Sequence, residues 1–167
     1  TNVAALADTQ IAALTTTQVA NLSGAQVAAL TTQQLNALTT AETQALTTTQ
    51  VKSLTTAQIS GLTTTAAGNL TSTQLGAFSI AQLGGLTTTN ATALTTTQIS
   101  GLSSTQVGGL TKDQFDGLTT TQISNLSTTQ LDGVGTTPIA AITTPQVNAL
   151  TTAQVQSLTT TQGKGFT

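Results

Sequence analysis

LTTTQISG, Leu94–Gly101, reads as a short helix with both of its ends specified. Thr95 is an N-cap and Gln98, three residues on, its partner in a Thr-x-x-Gln capping box. In that motif the hydroxyl accepts from the N–H of Gln98 while the Gln side chain accepts from the N–H of Thr95. Leu94, just before the cap, and Ile99, at the fourth helical position, are placed as a hydrophobic staple. Gly101 follows as the small residue of a C-terminal stop, a place that often calls for positive φ. The unit is about one and a half helical turns and then a sharp turn.

Outward from this stretch the same pattern runs through nearly the whole chain. Counting from Leu6, the Leu column continues through Leu14, Leu22, Leu30 and Leu38 without insertion, and 20 consecutive octads fill residues 6–165. Only Phe78, Val134 and Ile142 replace Leu before the column reaches Phe166. Octad position 1 is Leu, positions 2 to 4 are mostly Thr, Ser or Ala, position 5 is Gln, position 6 is Val, Ile or Leu, and position 8 is small. Residues 1–167 therefore form a single repeat array without a domain boundary. One octad holds too little apolar surface to offset the entropy of ordering eight residues, so the units must stack on one another.

Abundant Thr, Val and Ile favour strands by propensity, but the phase of the apolar residues opposes it. Leu and Val lie five residues apart within an octad, which puts them on opposite faces of an uninterrupted strand. A continuous helix fails as well, because eight residues advance about 80° beyond two full turns and the apolar positions would wind around the surface. The exceptions fit a capped helix instead. The only Glu, Glu42, stands in the Gln column, where a capping box accepts it. Pro145 falls at the second helical position and Pro138 at the third, in the first turn where a missing N–H does little harm.

A longer period overlies the octad. The Gln column is broken by Glu42, Ala66, Asn90 and Pro138, positions separated by multiples of 24, and the same phase holds the weak position-6 residues Thr43, Ala67, Ala91 and Gly163. Three octads per superhelical turn would bring these positions into one column; duplication of 24-residue gene segments is the alternative. The expected fold is an all-α solenoid of very short capped helices with about 24 residues per turn. A β-solenoid is the alternative.

Composition narrows function by exclusion. The chain lacks Cys, His, Met, Trp, Tyr and Arg, about a quarter of it is Thr, and 5% is charged. Thiolate or imidazole metal sites, Ser–His or Cys–His nucleophiles and bidentate Arg clamps have no residues to be built from. Lys52, Lys112 and Lys164 are far apart in sequence and the net charge is -2, which offers no basic patch for nucleic acid or an anionic membrane. Mean hydropathy of +0.16 with so little charge argues against a disordered coil. No apolar run approaches a membrane span, and no signal segment or initiator Met opens the chain, so a processed product or a piece of a longer protein is expected.

The nearest approach to a chemical constellation is Asp113, Asp116 and Asp132. Calcium would want six to eight oxygens in a recognised spacing, which is absent, so these read as surface acids. Asn21, Asn69, Asn90 and Asn125 each begin an Asn-x-Ser/Thr acceptor, three of them by-products of Asn at position 8 before Leu-Thr or Leu-Ser. The Thr rows could carry O-glycans, or present a flat face to ice or carbohydrate through positions 3 and 4. No catalytic, cofactor-binding or metal-binding residue is assigned, and no enzymatic activity is expected.

At LTTTQVAN (Leu14–Asn21), LTTAQISG (Leu54–Gly61) and LTTAQVQS (Leu150–Ser157) the chain resembles octapeptide arrays in very large secreted or surface-attached bacterial proteins of adhesin type. The resemblance implies an extracellular structural role as a stalk, spacer or filament, and carries no catalytic or ligand-binding residue with it. A surface of Thr, Gln, Ser and Asn lacks the charge repulsion that keeps molecules apart and favours association. Val3 at position 6 and Phe166 at position 1 would present core residues at the ends, so continuation is expected, covalently or by stacking. The alternative is an ice-binding or carbohydrate-binding solenoid with a Thr-rich face.

Overall fold

A computed structural model describes residues 3–164, so Phe166 lies outside the described residues. After a 3-10 turn at Val3–Ala5, twenty α-helices of four to six residues follow, α1 (Asp8–Ile11) to α20 (Thr160–Gly163), one per octad. No strand occurs among the described residues. Each helix begins at octad position 3 and ends at position 6, 7 or 8.

The octad quoted above shows how the unit is made. Thr95, in extended conformation at φ -71 and ψ 158, precedes α12 (Thr96–Ser100). Its hydroxyl accepts from the Gln98 N–H at 3.2 Å, and its own N–H donates to Gln98 Oε1 at 2.7 Å. The helix is then cut short by a tighter bond, Leu102 N–H to the Ile99 carbonyl at 3.0 Å. This three-residue closure recurs at each corner, for example from Leu110 to Val107 at 3.2 Å and from Leu126 to Ile123 at 3.2 Å. Positions 1 and 2 are extended, so the chain leaves the corner and starts the next helix in a new direction.

Three octads complete a turn. In one column α2 (Thr16–Ala20), α5 (Thr40–Ala45), α8 (Thr64–Asn69), α11 (Thr88–Ala93), α14 (Lys112–Asp116), α17 (Thr136–Ala140) and α20 stack in order, each on the helix 24 residues before it. Helices of the other two columns stack in the same way, such as α13 (Ser104–Gly108) on α16 (Thr128–Asp132). Ala67 and Ala91 are thus on neighbouring helices of successive turns, and the 24-residue sequence period is a period of the structure. The Leu and position-6 columns converge on the axis, where Leu75, Leu83, Ile99, Phe115 and Ile123 are almost fully buried. These two columns carry the apolar burial that holds the turns together.

The corner is built without the positive φ that a small C-terminal residue suggests. None of the described residues, glycine or otherwise, has positive φ, so position 8 is not small for that reason. It is small because it lies on position 3 of the turn before. A Cβ on Gly101 would come within 2.7 Å of Ser72 Cβ, and one on Gly117 within 2.6 Å of Thr88 Cγ2. Separations of 29 residues recur at these contacts, which is 24 plus the five positions from 3 to 8.

Candidate functional site

The dominant polar feature is internal. From Gln34 onward the position-5 Gln side chains are buried; Gln98 is 4% exposed and Gln114 is 1% exposed. While Oε1 caps its own helix, Nε2 reaches back to the preceding turn. Gln98 Nε2 donates to the Leu70 carbonyl at 2.6 Å and lies 3.1 Å from the Gly68 carbonyl. Gln50 makes the same reach to Leu22 at 2.7 Å and Val19 at 2.8 Å, and Gln114 to Leu86 at 2.6 Å and Leu83 at 2.8 Å. One side chain thus satisfies an orphan N–H at a helix start and donates to carbonyls at a corner 28 to 31 residues earlier. The result is a ladder of amides along the solenoid, each rung tying a turn to its predecessor.

The capping half of this role was legible in the sequence, and the cross-turn half was not. A signal for it existed. Glu completes a capping box as well as Gln and suits a helix N-terminus better by charge. A column with one Glu and a large excess of Gln therefore asks for a donor as well as an acceptor.

All four exceptions in the Gln column fall in the α2-to-α20 column. Asn90, 2% exposed, is a shortened rung whose Nδ2 donates to the Leu62 carbonyl at 2.9 Å. Glu42, 3% exposed, accepts from the Thr39 N–H at 2.6 Å but its carboxyl group has no amide to offer. Ala66 and Pro138 supply neither half. In α17 the N-cap is Gly135, and no side-chain cap is made. In the first turn Gln10, Gln18 and Gln26 make the capping bond alone among the described residues, at 2.8 Å in each case.

The acidic candidates are divided. Asp113 and Asp116 share α14, whereas Asp132 ends α16 in a different column. Asp113 and Asp132 are exposed, and Asp116 pairs with Lys112 across one helical turn at 2.9 Å. That hydrogen bond, together with the attraction between the two charges, holds the Lys112 ammonium above its ordinary range. No cluster of three or more metal-ligating side chains occurs among the described residues.

Two of the lysines that are remote in sequence border the same groove. Lys112 and Lys164 lie along one open groove of about 530 Å³ with Thr136, Thr137, Ala140 and Thr161, because α14, α17 and α20 share a column. No helix among the described residues is long and apolar enough to cross a membrane.

Of the glycosylation acceptors, Asn90 is sealed inside by its bond to Leu62, and a glycan there would require local opening. Asn21 and Asn125 each donate to a carbonyl four residues earlier, at 2.9 and 2.8 Å, and Asn69 accepts from Thr40 Oγ1 at 3.1 Å. The Thr rows are not a uniform free face either. Position 3, one of the two assigned to ice or carbohydrate, meets position 8 of the next turn, as Thr88 meets Gly117.

Among known families, the ALTTAQ repeat matches residues 91–120 and 123–160. Residues 149–154 spell that motif in full, and they place its Gln at Gln154, whose Nε2 donates to the Leu126 carbonyl at 2.7 Å. These segments are similar to that repeat, which agrees with a Thr/Gln-rich array. No curated protein and no solved structure matches the chain.

Proposed function

We propose that this chain is a structural, length-building segment of an extracellular filament, stalk or spacer, with no catalytic activity. The observation that carries the reading is the amide ladder. Each turn supplies the acceptors for the next turn's donors, so the arrangement can be extended without a new kind of contact. Gln10, Gln18 and Gln26 have the donor half of that contact to offer to a preceding turn. With packed helices about 8–10 Å apart, each set of 24 residues adds about that length.

Continuation is either covalent, in a longer polypeptide, or by heterologous stacking of a second copy on the same axis. Stacking is favoured by a chain of which only 5% is charged, which offers little repulsion between copies. Extracellular placement rests on the resemblance of Leu14–Asn21, Leu54–Gly61 and Leu150–Ser157 to octapeptide arrays of secreted bacterial proteins.

Electron microscopy and sedimentation, on this chain and on the protein in its native source, test the reading. Rods of constant width whose length grows with the number of octads are expected. A monodisperse monomer with both ends covered by its own residues, and no longer parent chain, would overturn it. Thermal hysteresis of ice growth or saturable glycan binding in that monomer would instead support the Thr-face alternative.

A further inference from the structure

At one place the ladder is interrupted beside an unpaired hydroxyl. Ala66 stands in the Gln column of α8, so the carbonyls 31 and 28 residues before it, those of Leu35 and Leu38, receive no side-chain amide. The rung before it, Gln58, serves Leu30 at 2.7 Å, and the rung after it, Gln74, serves Leu46 at 2.7 Å. A small, partly open cavity of about 20 Å³ lies here, with Leu35, Leu38, Leu54 and Ala66 in its walls. Thr43 also lines it and is 5% exposed, and its Oγ1 is buried with no hydrogen-bond partner among the described residues. Every other octad from Leu6 onward has an aliphatic residue, Phe or Gly at this position, so the hydroxyl is peculiar to this octad.

A buried hydroxyl without a partner is costly. A void that admits one water needs at least about 10–15 Å³ and two or more polar neighbours. The volume is sufficient for one water and too small for any larger guest, Thr43 Oγ1 is one polar neighbour, and Ala66 leaves the Leu38 carbonyl without a side-chain amide to supply another. The mostly aliphatic wall also lacks the six or more oxygens that a hard cation takes. We infer that the cavity is a binding site for a single structural water, which hydrogen-bonds to Thr43 Oγ1 and donates to the Leu38 carbonyl in place of the missing Gln amide. Thr43 and Ala66 then act as a matched pair: loss of the amide opens the space, and the hydroxyl two octads and seven positions earlier supplies the second partner. The water is a substitute rung, and it keeps the column tied together where the sequence departs from the repeat.

A high-resolution crystal structure of the chain tests this directly, with Thr43→Val and Ala66→Gln beside it. One well-occupied water about 2.7–3.0 Å from Thr43 Oγ1 is expected in the parent protein. It should be lost or weakened in Thr43→Val and displaced by the longer side chain in Ala66→Gln. In solution, water-to-protein nuclear Overhauser effects at Thr43 and Leu38 should report a long-lived water in the parent and lose it in Thr43→Val. A dry cavity in the parent, a Thr43 hydroxyl bonded to its own helix, or a water unchanged by Thr43→Val would each overturn the inference. The parent structure decides the matter even if a variant fails to fold.

Discussion

Two residues of each octad carry its polar logic, and they can be separated experimentally. Thr95 accepts from the Gln98 N–H, whereas Thr97 is exposed at the second helical position. Thr95→Ala should therefore lower stability by about 1 kcal/mol in denaturant titration, with Thr97→Ala close to neutral. Equal effects would count against the assigned caps. For the second role, Gln98→Glu keeps the cap but turns a carboxylate toward the carbonyls of Gly68 and Leu70. A cost of about 1–3 kcal/mol at neutral pH is expected, since a buried acceptor loses its donor. The reverse change belongs to the one Glu: Glu42→Gln restores an amide opposite the corner 28 residues earlier, at Leu14, and should stabilise by about 1 kcal/mol. The Thr–Gln pair was legible from spacing because a capping box is local. The reach from Gln98 to Leu70 was not, because nothing in eight residues specifies which corner comes to lie beneath them.

At the scale of the helix, the sequence carried the start and the staple, while the stop had another physical cause than expected. The structure gives position 8 ordinary negative φ and makes its smallness a matter of clearance from the turn before. Glycines should therefore differ by neighbourhood rather than by conformation. Gly101→Val forces a side chain against Ser72 and should cost about 1–3 kcal/mol or disturb the stack. Gly68 sits inside α8, and a Cβ there meets nothing within 4 Å. Gly68→Ala should therefore stabilise by about 0.5–1 kcal/mol, as expected for helix propensity alone. Melting temperatures of the two variants check both signs. If Gly101→Val were neutral, the contact between positions 3 and 8 would be misplaced.

For the whole molecule, stability should grow with the number of turns, because a rung exists only when there is a turn below it. A 24-residue peptide holds three octads with no preceding turn, and its circular dichroism should be that of an unfolded chain. Arrays of whole turns should become helical and gain melting temperature as each turn is added. The 24-residue recurrence of Glu42, Ala66, Asn90 and Pro138 made the three-octad turn readable, since drift confined to one column leaves a mark at that period. The Lys112–Lys164 groove and the Thr43 cavity were not readable, as each depends on which side chains the stacking brings together. The ladder defines this stack, and a crystal structure of the chain checks it. Gln98 Nε2 within hydrogen-bonding distance of the Leu70 carbonyl, with Ala67 and Ala91 on adjacent turns, is the predicted result. Extended strands, or two or four octads per turn with Gln98 facing any other corner, would contradict it.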